Sequence, residues 1–129
     1  MIRDIQLTHD PIDETALARQ RRAGSETGAA VSFAGIVRGS ENAIPIKAID
    51  YESFDAMALS QFEKILDQVE SRWGVQSVRL VHRKGTVPVG EPSLWVEVLA
   101  SHRGEAFAAC QFLIDEMKRL VPIWKRPML

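Results

Sequence analysis

The sequence predicts an α+β or α/β fold with a mixed or largely antiparallel sheet. Three observations carry this expectation. Helical and strand patterns are interspersed in the order β-α-β-β-α-β-β-α-β. Two segments repeat apolar residues at spacings of three and four, the helical period. Several strand-like segments are joined by short turns, which favour antiparallel pairing.

In "IRDIQLT" the apolar Ile2, Ile5 and Leu7 give a short strand. Asp10 is the expected N-cap of a helix, Pro11 its first residue and Gly24 its stop. "TGAAVSFAGIVRG" reads as a strand of small and β-branched residues. "IKAIDYESF" reads as another, with Ile46, Ala48 and, after a phase slip, Tyr51 facing inward. The first strong helix is "SFDAMALSQFEKILDQVESRWG". Met57, Phe62, Ile65, Leu66, Val69 and Trp73 form its stripe, and Gly74 ends it. "VQSVRLVHRKGTV" is a strand with Val78, Leu80 and His82 on one side. "PVGEPS" is a turn, and "LWVEVLASH" has strong β propensity. "RGEAFAACQFLIDEMKRLV" is the second strong helix, with Ala106, Cys110, Leu113, Ile114, Met117, Leu120 and Val121 as its stripe. Pro122 stops it, and "IWKRP" leaves as an extended segment.

A length of 129 residues fits one domain spanning 1–129. Hydrophobic residues make up 46% and charged residues 26%, an ordinary globular balance that permits a real core. The net charge of -1 argues against a dedicated nucleic-acid binder. The lone Cys110 excludes an intramolecular disulfide and a multi-cysteine metal site. Separately, no metal and no cofactor is expected. A reducing cytoplasm is the natural compartment. No apolar run approaches the roughly 18 residues of a membrane span, and "MIRDIQLTHD" has no signal-peptide pattern.

The chemistry-bearing residues are basic. "MKRLVPIWKRPML" sets Lys118 and Lys125 around a proline and a tryptophan. Lys118 falls at the edge of the helix stripe, on the side of Ile114 and Phe107, and Lys125 can fold back toward the helix end. In "ASHRGEAF", His102 and Arg103 sit where a strand becomes a helix, a position suited to a phosphate or carboxylate. "FAGIVRGSEN" places Arg38 after a strand of small residues, and arginine suits bidentate phosphate binding. Each also fits a plainer role: a snorkelling lysine, a helix capped by Ser101, a strand-end arginine. His82, Arg83 and Lys84 read as strand-end polar residues, Cys110 as core, and Asp50, Glu52 and Asp55 as solvated or capping. Trp73, Trp95 and Trp124 read as packing residues.

Together, "AVSFAGIVRG", "YESFDAMA" and "LVHRKGTVPVGEPSLWVEVLASHRGEAFAACQFLIDEMKRLVPIWKR" resemble the catalytic (large) subunit of molybdopterin synthase. The resemblance runs from about Gly28 to Arg126. It implies an α/β-hammerhead type of fold with an added small antiparallel sheet. It also implies a homodimer that binds two small ubiquitin-like sulfur carriers, a heterotetramer. Each carrier brings a C-terminal glycine thiocarboxylate. The implied reaction puts two sulfurs into cyclic pyranopterin monophosphate to form the molybdopterin dithiolene. By the family pattern, Lys118 and Lys125 form the catalytic pair. Burial beside Ile114 and Phe107 is expected to depress the Lys118 pKa. Arg38, His102 and Arg103 hold phosphate and pterin, Arg126 assists, and Phe33, Ile36, Val37 and Met117 line the cavity, with Ile123 and Trp124 as its apolar wall. Family members carry an acidic residue and a longer tail after this point; here Pro127 stands in that place and the sequence ends at Leu129. That departure supports a second expectation, a non-catalytic carrier- or anion-binding homologue with an incomplete site.

Overall fold

The computed structural model describes residues 1–129. Its main sheet has the order β1-β6-β8-β2, made by Ile2–Thr8, Ser77–Arg83, Pro92–Ala100 and Ala29–Ile36. β1 and β6 are parallel; the other pairs are antiparallel. Alternation along these strands sends Val78, Leu80, Val96 and Val98 to one face, all fully buried. The long helices α2 (Asp55–Trp73) and α3 (Arg103–Leu120) belong to the same core cluster, with Phe62, Ile65, Leu66 and Leu113 sealed from water. In α2 the inward position is Ala58, while the expected Met57 is exposed. Gly74 ends α2 in the left-handed conformation (φ 58°), its N–H donating to the Glu70 carbonyl.

The short helix α1 covers only Glu14–Arg19. Its N-cap is Asp13, not Asp10, because the Asp13 carboxylate accepts from the Ala16 N–H at 3.1 Å. It ends at Gln20, before Gly24. The chain beyond it is tied to the main sheet by a buried charge cluster. Arg79 and Arg21 both donate to the fully buried Glu97, at 2.8–2.9 Å, and Arg79 also reaches the Leu17 carbonyl of α1.

A second sheet has the order β7-β5-β9, from Gly85–Pro88, Ala48–Ser53 and Ile123–Met128, all antiparallel. The segment expected as one strand from Val75 to Val87 therefore breaks at Lys84. Gly85, at φ 80°, turns the chain out of the main sheet and into the second one. A two-stranded ribbon, β3 (Ser40–Glu41) and β4 (Ile44–Pro45), pairs with neither sheet. The architecture is the α+β arrangement with a small added sheet that the sequence and the resemblance predict.

Candidate active site

A cavity of about 530 Å³ opens where the two sheets meet the C-terminal end of α3. Each wall has a local cause. β2 and β8 change register between Gly35 and Ile36, and the strand end beyond this irregularity leads Val37 and Arg38 to the cavity. The last turn of α3 supplies Met117 and Lys118. Val121 leaves the helix in an extended conformation, as a residue before proline prefers, and β9 then runs back along β5. In that pairing Tyr51 lies opposite Lys125, and Ser53 opposite Ile123. The period of two puts Ile123 and Lys125 on the cavity face, with Trp124 and Arg126 on the other.

Arg38, Lys118 and Lys125 are thus brought together in one hollow with Phe33, Ile36, Val37 and Met117. The lining also holds one carboxylate, Glu41, so three cations oppose one anion, a formal excess of two positive charges. Glu41 bonds the Lys125 ammonium at 2.5 Å. That bond, with the charges of Lys125 and Arg38, holds the Glu41 carboxyl below its ordinary value and outweighs its partial desolvation. Deeper in, Tyr51 donates its hydroxyl to Ser93 Oγ at 3.2 Å, and its ring meets the edge of His82 at 5.1 Å. His82 is 5% exposed. Its Nδ1 lies 2.9 Å from the Arg83 carbonyl, and a carbonyl can only accept, so Nδ1 carries the proton. Burial pushes the imidazole pKa down, against the pull of that hydrogen bond, so the ring is neutral near pH 7.

The other predicted site residues lie elsewhere in the single chain. His102 is the N-cap of α3 and is 80% exposed, with its Nδ1 3.5 Å from Glu105. Arg103 begins the same helix, about 22 Å along its axis from Lys118 at 1.5 Å per residue. Arg126 pairs with Asp50 on the far face of the second sheet. Trp124 is half exposed against Phe54 on that far face, so Ile123 alone of the expected pair forms cavity wall. The expected burial of Lys118 is also not found: Lys118 is exposed, as is Phe107. Glu41, Tyr51, His82 and Ser93 line the cavity without having been assigned to it from sequence. The inward phase of Val78, Leu80 and His82 was a usable signal for the histidine. Nothing in "GSENAIP" marks Glu41, whose position depends on a turn and a distant strand.

Fold and cavity together define an α+β protein with a sheltered, net-cationic, partly apolar pocket suited to an anionic ring-bearing ligand. Residues 7–120 match the family described as MoaE protein. The chain is 33% identical over 125 residues to the molybdopterin synthase catalytic subunit of Thermoplasma volcanium, covering 97% of this chain and 90% of that one. It superposes on molybdopterin synthase from Staphylococcus aureus with a TM-score of 0.86 at 28% identity, covering 95% and 89% of the two chains. It shares the fold of a chain in the complex of subunits 1 and 2 of molybdopterin-converting factor from Helicobacter pylori (TM-score 0.72, 24% identity, 98% and 84% covered). The chain belongs to the MoaE family, that of the catalytic subunits of molybdopterin synthase, an enzyme of molybdenum cofactor biosynthesis.

Proposed function

We propose that this chain is a sulfurtransferase. It takes sulfur from the C-terminal thiocarboxylate of a small carrier subunit and delivers it to cyclic pyranopterin monophosphate, forming the dithiolene of molybdopterin. The observation that carries the reading is the meeting in one cavity of Lys118 and Lys125, from the consecutive elements α3 and β9, with Arg38, from just beyond β2 and far earlier in the sequence. Both reactants are anionic, and fixed cations in a sheltered pocket act more strongly than in bulk water. In this reading Arg38 holds the phosphate. Lys118 stabilises the oxyanion that forms as the thiocarboxylate is consumed, and Lys125 completes the pair. The volume suits a bicyclic or tricyclic ring with its phosphate.

The partners follow from the surface and from the resemblance in fold. Phe33 and Ile36 line the cavity and are 38% and 48% exposed, apolar area available to a docked carrier tail. The H. pylori structure, a complex of two subunits, supports such a partner. His102 and Arg103 join the site in a homodimer, each from the second copy, which their exposed position at the start of α3 allows. Residues 1–129 act as one unit in this assembly, in the cytoplasm.

The test is reconstitution with thiocarboxylated carrier and the cyclic pterin. Wild-type chain gives dithiolene product. Lys118→Ala, folded by circular dichroism, loses about 100-fold or more of the rate, the size expected for removing a group that stabilises a developing oxyanion. Full activity in that variant would remove Lys118 from the mechanism. Tight carrier binding by the wild type without product would support the binding-only homologue.

A further inference from the structure

Glu41 is the one carboxylate among the residues that line the cavity, and it points at a cation the proposed reaction needs. Its own side chain is only 15% exposed, whereas that of Lys125 is 54% exposed. Arg38 flanks the pair closely enough to help hold the Glu41 carboxyl ionised. Glu41 therefore occupies an anion position between two cations.

The element carrying Glu41 is lightly held. The β3–β4 ribbon has two residues in each strand and no third strand beside it. Its turn places Asn42 and Ala43 at φ 51° and 65°, a conformation that Asn tolerates and Ala does not favour. The ribbon is closed at its base by the Ile46 N–H donating to the Gly39 carbonyl at 3.1 Å. Swinging the ribbon outward breaks few backbone hydrogen bonds and removes no member of the main core.

We infer that Glu41 is a displaceable internal counter-ion: its carboxylate marks the oxyanion position beside Lys125, and an anionic group of a reactant takes that position as the ribbon moves aside. The inference rests on the proposed function only for the nature of the reactant. The shared ligand chemistry is an oxyanion, supplied either by the pterin phosphate or by the carboxyl end of the carrier. A bound reactant must offer more than one carboxylate does, such as a second negative charge or added ring contacts, so Glu41 also acts as a selectivity filter against simple monoanions.

The test reads binding, not turnover. Inorganic phosphate and a short peptide with a C-terminal glycine carboxylate are titrated calorimetrically into wild type, Glu41→Gln and Glu41→Ala at low salt. Loss of the internal competitor tightens the ligand that binds beside Lys125 by about tenfold, a modest estimate for one nearby charge in partly screened surroundings. The ligand that tightens identifies the source. The gain disappears when Lys125→Ala is added to Glu41→Gln. Unchanged or weaker binding of both ligands in both folded Glu41 variants overturns the inference. A chain that makes no dithiolene yet shows the tightening keeps the counter-ion and loses the reaction. Product formation without tightening does the reverse.

Discussion

His82 shows how much a single position depends on its strand. As one polar residue near a strand end it looked ordinary. Because β6 alternates and His82 shares the inward phase of Val78 and Leu80, the ring is forced into the cavity floor. There its pKa lies below the ordinary histidine value of 6.5. The sign of the linkage follows. The unfolded chain takes up a proton near 6.5 and the folded chain only at lower pH, so protons favour unfolding. The stabilising contribution is complete above about pH 6.5 and drains as pH falls through the folded-state value. Urea midpoints measured from pH 7.5 down to 5 will fall for wild type, and less steeply for His82→Gln. Asp55 and Glu41 enter at more acid pH, since Lys84 and Lys125 hold them below their ordinary 3.8 and 4.5.

Glu97 is the sharper case. Burial raises its carboxyl pKa, but hydrogen bonds from Arg79 and then Arg21 outweigh that and hold it low. Removing one partner from such a buried cluster leaves uncompensated charge. Glu97→Ala strands Arg79, while the more exposed Arg21 turns to water, and will lower unfolding stability by about 1–3 kcal/mol in denaturant melts. Glu97 stood unremarked inside "LWVEVLASH", because its two partners lie 18 and 76 residues away.

Elements with a strong period were legible: α2, α3, β1 and β8 lie close to where alternation or the helical stripe put them. Apart from the bounds of α1 and the exposed Met57, the differences lie where the chain changes partners. "VQSVRLVHRKGTV" looked continuous, yet it serves two sheets, because nothing local but Gly85 signals the exchange. "IWKRP" reads as extended, but its pairing with β5 decides which side chains reach the cavity, and register is not local information. The same reasoning gives a test in the ribbon. Ala43 holds a left-handed conformation that costs an L-residue with a side chain about 1 kcal/mol. Ala43→Gly relieves that strain at a turn where Asn-Gly is the favoured pair. The variant will gain up to about 1 kcal/mol of local stability, read as slower amide exchange at Ile44 and Glu41.

The convergence expected of all the basic residues is divided in the single chain. Arg38, Lys118 and Lys125 meet, whereas His102 and Arg103 stand at the opposite end of α3. Sequence alone could not separate residues that complete a site within a chain from residues offered to a neighbour. A complementation assay does so. Lys118→Ala and Arg103→Ala homodimers will each be nearly inactive. Mixed and reassembled, they will recover about one quarter of wild-type activity, because half the dimers are hybrids and each hybrid has one site with both groups intact. Two inactive parents with no recovery would place Arg103 and Lys118 in a site built from one chain, and a fully active Arg103→Ala homodimer would place Arg103 outside the reaction.

The turn at Gly85 has a mechanical result for the pocket. One unbroken run of backbone, Ser77 to Pro88, is stitched first to β1 and β8 and then to β5. The two sheets that wall the hollow are thereby spliced by a single stretch of backbone. A methyl group at Gly85 would meet His9 Nδ1 at 3.2 Å in a backbone conformation L-residues resist, so the splice tolerates little tampering. The small flap carrying Glu41 pairs with neither sheet and is the part of the wall that this splice leaves unbraced.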